Sequence, residues 1–207
     1  MDMEGKIYEP EEIEKIDLEK YGLSYLEGRN ILTLTGPDMD RLLIALGNDD
    51  ISLTVPVPCT PDNVQEILSY SECRRCGKCC IPNPLNPASP GVEVFREELD
   101  AIAGYLQLPY EALKEKTAAG KFVPHPFRWA SLASTRWLPL PCPFYIAEHN
   151  ECQVYPVRPV VCKIHPIIFT GDDANMSIKV NCDYGKEILI GAYEYVSKNY
   201  PELEMKL

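Results

Sequence analysis

The sequence lacks the features that direct a protein to a membrane or to nucleic acid. No apolar run approaches the roughly 20 residues of a membrane-spanning helix, and residues 1–20 are charged, without the apolar segment of a secretory signal peptide. Basic residues are few: 20 Lys and Arg against 31 Asp and Glu give a net charge of −11. Because nucleic acids and anionic lipids attract basic surfaces, we expect a soluble, cytoplasmic protein with no nucleic acid or membrane partner.

Common templates of enzyme active sites are absent as well. The sequence has no P-loop, no Gly-x-Ser-x-Gly nucleophile elbow and no His-Glu-x-x-His zinc motif. It also has no Gly-rich turn between a strand and a helix that would bind a nucleotide-like methyl donor. The sequence therefore names no substrate, and it leaves open whether the protein is an enzyme.

Cysteine, in contrast, is abundant and unevenly distributed. Of nine cysteines in the chain, four lie within eight residues in the pattern C-x2-C-x2-C-C: Cys73, Cys76, Cys79 and Cys80. Gaps of two residues let successive thiolates turn inward on one tight loop, which is how short loops hold zinc or an iron–sulfur cluster. Gly77 suits a loop position with positive φ, and the neighbouring Arg and Lys side chains favour thiolate over thiol.

The alternative to metal binding is a set of buried or disulfide-bonded cysteines. Disulfides are rare in the reducing cytosol, and an odd number of cysteines cannot all pair within one chain. We therefore predict a metal site, since such a density of thiols is costly unless the sulfurs act together. Cys59 has no partner at ligand spacing and is expected to be a small buried residue, so Cys59→Ser should change neither bound metal nor fold.

Residues 1–70 are predicted to form a small α/β module of unknown role, followed by a metal-binding domain over residues 71–207. After a charged lead-in, the patterns predict a strand over residues 30–35, a helix over 38–46 and a half-buried strand over 51–55. The predicted boundary between the two domains thus falls where the first cysteine loop, residues 71–80, begins.

Prolines mark the end of this predicted module. Pro56 and Pro58 place the end of the preceding strand at a sheet edge. Thr60 and Pro61 are a typical start for a helix, which is predicted to run to about Tyr70 and to deliver the chain into the cysteine loop.

The second domain is predicted to be small and irregular, centred on its metal, with short strands and peripheral helices. Amphipathic helices are expected over residues 96–106 and 184–199, with a shorter helical segment over 110–117. A hairpin is predicted from strands at 167–169 and 177–180. The predicted fold class of the whole chain is α+β.

Three further cysteines follow at even intervals. Nine residues separate Cys142 from Cys152, and nine more separate Cys152 from Cys162. A turn at residues 148–151 would let the first two flank a short hairpin, and a rigid bend around Pro159 would bring Cys162 back. Because the first loop presents only two or three sulfurs to one point, we expect these later cysteines to complete the site.

The two motifs resemble the YkgJ-type cysteine-cluster family, whose members are described as zinc- or iron-chelating. The first motif reads C-x2-C-G-K-C-C from Cys73; the second reads C-P-F from Cys142 and then C-x-V-Y-x2-R-P-x2-C from Cys152. The likeness covers about residues 71–182. It implies a soluble metal-binding protein in which the motif cysteines hold the metal: Cys73, Cys76, Cys79, Cys80, Cys142, Cys152 and Cys162.

The chain departs from the family pattern at two positions and shares its cluster with another group of proteins. Lys163 stands where the family often has Arg, and His165 stands where it often has Phe, which adds a candidate ligand. A similar cluster occurs in flagellin lysine N-methylases. The alternative function is therefore an iron–sulfur-dependent modification or redox enzyme.

Zinc and an iron–sulfur cluster both fit these sulfurs. A structural zinc takes four ligands in a closed tetrahedron, whereas a C-x2-C-x2-C loop with a remote Cys-Pro is a ferredoxin-like arrangement for one [4Fe–4S] cluster. The parts of that arrangement here are Cys73, Cys76, Cys79 and Cys142. If the backbone is extended there, Cys80 points away from Cys79, and it then either joins Cys152 and Cys162 in a second site or simply packs.

Several residues have two interpretations. Arg158 is either a cofactor-binding residue that donates hydrogen bonds to ligand sulfurs or a surface arginine in a salt bridge. His125 is either a ligand or an ordinary loop residue, and the sequence leaves open whether Cys182 and His165 bind metal. A third class of function would use residues 1–70 to recruit a protein partner.

Overall fold

The computed structural model describes residues 16–85, 89, 91–125, 128–168, 175–205 and 207, with side chains described outside residues 121–134. Most of the charged lead-in therefore lies outside the described residues, as does the side chain of His125. None of the helices in the described part of the chain is long and apolar enough to cross a membrane.

Helices and short antiparallel sheets alternate along the chain, which confirms the α+β class. The helices are α1 (Gly36–Asn48), α2 (Pro61–Leu68), α3 (Arg96–Leu106), α4 (Tyr110–Lys114), α5 (Val160–Ile164) and α6 (Asp183–Asn199). The strands are β1 (Ser52–Val55), β2 (Val92–Phe95), β3 (Ala118–His125), β4 (Arg128–Leu138), β5 (Tyr145–Ile146), β6 (Glu151–Cys152), β7 (Ile167–Ile168) and β8 (Met176–Lys179). Single 3-10 turns occur at Ser24–Leu26, Ile31–Thr33, Lys78–Cys80, Ala147–His149 and Tyr155–Val157.

The strand predicted over residues 30–35 is wrong. Ile31–Thr33 is a 3-10 turn, capped by the Asn30 side chain, which accepts the N–H of Leu32 at 3.1 Å. Asn offers its backbone such local hydrogen bonds in place of a strand ladder. By contrast, the predicted start of α2 is confirmed, since the Thr60 hydroxyl accepts the N–H of Asn63 at 3.3 Å.

The first sheet has the order β1-β8-β7, and all of its pairings are antiparallel. Strand β1 is at the edge, as Pro56 and Pro58 predict. The predicted hairpin is confirmed in its two strands, β7 and β8, while residues 169–174 between them lie outside the described residues.

A first hydrophobic core packs α1, α2 and α6 against this sheet. Its most buried members include Leu42, Leu46, Leu53, Ile67 and Ile188. These residues come from both sides of residue 70, because β1 pairs with β8 and α6 returns to α2. The division of the chain after residue 70 stays a prediction.

A second sheet, of order β2-β4-β3, contains the long β3–β4 hairpin that the sequence did not predict. Its ladder shifts register between Ala119 and Phe122, which breaks the alternation that identifies strands. A Cβ at Gly120 would lie 2.6 Å from the backbone carbonyl oxygen of Thr135, so the two strands approach closely at this irregularity. The second core beside this sheet consists of Val94, Leu99, Ile102, Ala103, Leu113, Leu138, Phe144 and Val154.

Candidate metal centre

The cysteines of both motifs lie around one cavity of about 120 Å³. The first cysteine loop, the β5–β6 turn, α5 and the start of α6 all contribute to its wall. The cysteines that line it are Cys73, Cys76, Cys79, Cys80, Cys142, Cys152, Cys162 and Cys182. Cys59 does not line the cavity; it is 3% exposed within the first core.

A turn at residues 78–80 shapes the first loop and joins it to the second motif. Gly77 precedes this turn with φ of 77°, as predicted, and the sulfurs of Cys79 and Cys80 lie 3.9 Å apart. The extended backbone that would turn Cys80 away from Cys79 is not present, because Lys78–Cys80 is a 3-10 turn. The N–H of Cys142 donates to the Cys80 carbonyl at 2.7 Å, so a backbone hydrogen bond links the two motifs.

Helix α6 anchors the first loop through a carboxylate. The Ser71 hydroxyl and the Arg74 guanidinium both donate to Glu187. Nearby, the Lys78 ammonium donates to the Asn181 carbonyl at 3.3 Å. Sequence reasoning missed Glu187, because a charged residue on the outer face of an amphipathic helix gives no sign of a distant partner.

Two arginines flank the cavity and share one aromatic ring. The guanidinium carbons of Arg75 and Arg158 lie 4.1 Å and 3.9 Å from the centre of the Tyr155 ring, within cation–π range. The Nε of Arg158 is buried without a hydrogen-bond partner, which ordinarily costs about 1–3 kcal/mol. A thiolate or sulfide in the cavity would accept this donor, so the site fits an anionic metal–sulfur group.

The thiols differ in how easily they ionise. A hydrogen bond with Cys80 lowers the pKa of Cys79 to about 7, and the positive charge of Arg158 acts in the same direction. Burial raises the pKa of the Cys142, Cys152 and Cys162 thiols. Metal binding must therefore displace protons from several of these groups.

His165 and Cys182, for which the sequence left metal binding open, also line the cavity. Burial, followed by the charge of Lys179, lowers the pKa of His165 to about 4, which leaves a neutral imidazole, the form that can bind metal. Cys182 precedes the first turn of α6, and its sulfur accepts the N–H of Gly185 at 3.4 Å.

Glu98 of α3 holds α5, the short helix that carries Cys162. Its carboxylate accepts the N–H of Phe95 at 2.9 Å and the N–H of Val160 at 2.6 Å. The first contact is a local helix cap, with Glu at the third helical position. The contact with Val160 crosses 62 residues of sequence, so Glu98 positions a cysteine-bearing element that no local pattern could connect to it.

Replacing this carboxylate should loosen α5. We expect Glu98→Ala to lower the free energy of unfolding by about 1–3 kcal/mol, because a partly buried N–H at Val160 loses its acceptor. Urea denaturation measures this loss, and faster alkylation of Cys162 in metal-free protein would report the loosened helix. Asp100→Asn, on the exposed side of the same helix, is the matched control. Equal stability and alkylation in the two variants would contradict the positioning role of Glu98.

The sulfurs around the cavity are near one another without being gathered at one point. Among the residues that the structure describes, no three His, Cys, Asp or Glu side chains have separations that could hold a metal ion. A bound zinc would draw its sulfurs to about 2.3 Å from the ion. The ligand roles of the seven motif cysteines and the role of Arg158 therefore stay predictions.

Comparison with known proteins agrees with the motif analysis. An uncharacterized protein of Methanocaldococcus jannaschii is 24% identical over 94 residues, which span 45% of this chain and 43% of the relative's length. No solved structure matches the chain. A family model described as a "putative zinc- or iron-chelating domain" matches residues 72–183, more than half of the chain. The protein therefore belongs to this family, CxxCxxCC, whose name matches the spacing of Cys73, Cys76, Cys79 and Cys80.

Proposed function

We propose that the cysteine cavity binds iron as a [4Fe–4S] cluster rather than a single zinc ion. The size of the cavity is the observation that carries this choice. One water-sized sphere requires about 10–15 Å³ of such volume, so the cavity of about 120 Å³ has space for several heavy atoms. The thiolates of a closed zinc site, by contrast, surround one ion.

The charge around the cavity supports the same proposal. A metal cluster bound by four thiolates is anionic, and its potential depends on hydrogen bonds to the sulfurs. Arg158 would donate such a bond from its unpartnered Nε, while its stacking on Tyr155 keeps the guanidinium at the cavity. The chain as a whole has a net charge of −11. The positive charges of Arg75 and Arg158 at the cavity are therefore a local exception that favours an anionic ligand.

We assign the bound group a structural role. The two motifs are separated by 61 residues, and metal–thiolate bonds shared between them would fix loops that are rich in Pro and Gly and poor in buried side chains. Bound in this way, the group would join the first cysteine loop to the second motif.

The test is the metal content of the full chain purified without oxygen. We expect iron and acid-labile sulfide in equal amounts, with the broad visible absorption of an iron–sulfur cluster, and loss of both in Cys142→Ser. Cys59→Ala is the control, since Cys59 does not line the cavity. Ala replaces the Ser considered from the sequence, because Cys59 is buried in the first core, where a hydroxyl would be costly. Zinc without iron would overturn the choice of cluster, and a chain that binds neither metal would overturn the proposed function.

A further inference from the structure

Arg75 is a basic residue of the first cysteine loop with an unusual backbone conformation. It lies between Cys73 and Cys76, it is exposed, and it lines the cavity. Its φ of 54° is in the left-handed region, which a residue with a Cβ adopts at a cost in stability. Such strain persists where the surrounding structure enforces it, and it is concentrated at functional sites.

The contacts of Arg75 differ from those of its basic neighbours in the loop. Arg74 is paired with Glu187, and Lys78 donates to a backbone carbonyl. Within the described part of the chain, Arg75 forms no ion pair and no side-chain hydrogen bond, and its guanidinium instead lies 4.1 Å from the centre of the Tyr155 ring. Its positive charge is therefore not neutralised by any described carboxylate.

Arg158 brings a second positive charge to the same ring. Its guanidinium carbon lies 3.9 Å from the centre of Tyr155, and its Nε is buried without a hydrogen-bond partner. Like charges repel, and the negative face of one aromatic ring offsets this repulsion only in part. Two unpaired cations are thus held close together at the wall of the cavity.

We infer that Arg75 and Arg158, joined through Tyr155, balance the charge of the metal group and that Arg75 raises its reduction potential. Four thiolates around a doubly positive [4Fe–4S] core leave two net negative charges, which the two guanidiniums match. Arg75 belongs to the first motif and Arg158 to the second, so the pair spans the junction between them. This inference rests on the proposed function, since it requires a bound cluster.

The effect on the potential follows from the sign of the charges. Reduction by one electron adds a third negative charge to the metal group. A positive charge nearby stabilises this reduced state more than the oxidised one, so Arg75 raises the reduction potential. A residue that only stabilised the fold of the loop would not produce this shift.

Reductive titration of the full chain, purified without oxygen, tests the role of Arg75, with dithionite as the electron donor. We expect Arg75→Gln to lower the ratio of reduced to oxidised cluster at a fixed potential about tenfold, which is a shift of about −59 mV for one electron. Arg75→Lys keeps the charge and should recover most of the shift. Arg96→Gln is the matched control, because Arg96 also stacks on a tyrosine, Tyr110, at 5.7 Å, but does not line the cavity.

The possible results separate this inference from the proposed function. Equal potentials in Arg75→Gln and Arg96→Gln, each with full iron and sulfide, would overturn the role of Arg75 and leave the proposed function intact. If folded Arg75→Gln contains no cluster, Arg75→Lys decides: a bound cluster there supports the charge role, and its absence overturns it. An unchanged chain without iron and sulfide would overturn the proposed function itself.

Discussion

Removing the metal should unfold the second core while the first core stays folded. The first core is formed by long elements, α1 and α6, that bury apolar side chains on their own sheet. Among the described residues the second core has eight buried members, with Cys142 and Cys152 packed against it. Cavity cysteines border the first core too, but that core has thirty buried members. Structural metals contribute about 10–16 kcal/mol in small metal-binding peptides, which is comparable to the whole stability of a typical domain. Loss of the metal should therefore destabilise the second core most, because few buried side chains there would compensate for the lost metal–thiolate bonds.

Tryptophan fluorescence follows the unfolding of the second sheet and its core separately from that of the first core. Both tryptophans of the chain, Trp129 and Trp137, lie in β4 of the second sheet, whereas far-UV circular dichroism is dominated by the helices. After anaerobic chelation we expect the fluorescence transition to disappear or to shift by tens of degrees, and the helical transition to persist. Cys142→Ser should reproduce this result without a chelator, and Cys59→Ala should not. Unchanged transitions in chelated protein would show that the metal has no structural role.

Local features of the fold were predictable from sequence, because their causes lie within a few residues. Thr60 and Pro61 encode the start of α2, and the apolar spacing of residues 184–199 encodes α6. Two secondary-structure predictions failed. The side chain of Asn30 caps a 3-10 turn where a strand was predicted, and the register shift near Gly120 hid the β3–β4 hairpin from the sequence pattern.

The candidate site was predictable in part for the same reason. Cysteine spacing identified the four thiols of the first loop, since C-x2-C spacing is a local property, and the family resemblance added Cys142, Cys152 and Cys162; all seven line the cavity. The residues that position them act across the chain: Glu98 reaches Val160, Glu187 reaches Arg74, and Tyr155 stacks with Arg75. No periodicity or motif encodes these contacts, so they require the three-dimensional structure.

Replacing Gly77 should disrupt the first cysteine loop. Its φ of 77° is in the left-handed region, which costs a residue with a Cβ about 1–2 kcal/mol. A Cβ at this position would also lie 1.9 Å from the Tyr145 hydroxyl oxygen. Tyr145 would have to move and to give up its hydrogen bond to Asn150 at 2.7 Å, which is worth about 0.5–1.5 kcal/mol.

Gly77→Ala should therefore lower the free energy of unfolding by about 3 kcal/mol and reduce bound metal, as measured by urea denaturation and metal analysis. Gly104→Ala is the matched control: Gly104 is exposed in α3, and a Cβ there would meet nothing within 4 Å, so it should stabilise the helix by about 0.5–1 kcal/mol. A double variant, Gly77→Ala with Tyr145→Ala, separates the two causes. Removing the ring relieves the clash and leaves the cost of the positive φ, so the two substitutions should be less damaging together than the sum of their separate effects. If Gly77→Ala is as stable and as rich in metal as Gly104→Ala, the loop does not depend on glycine at this turn.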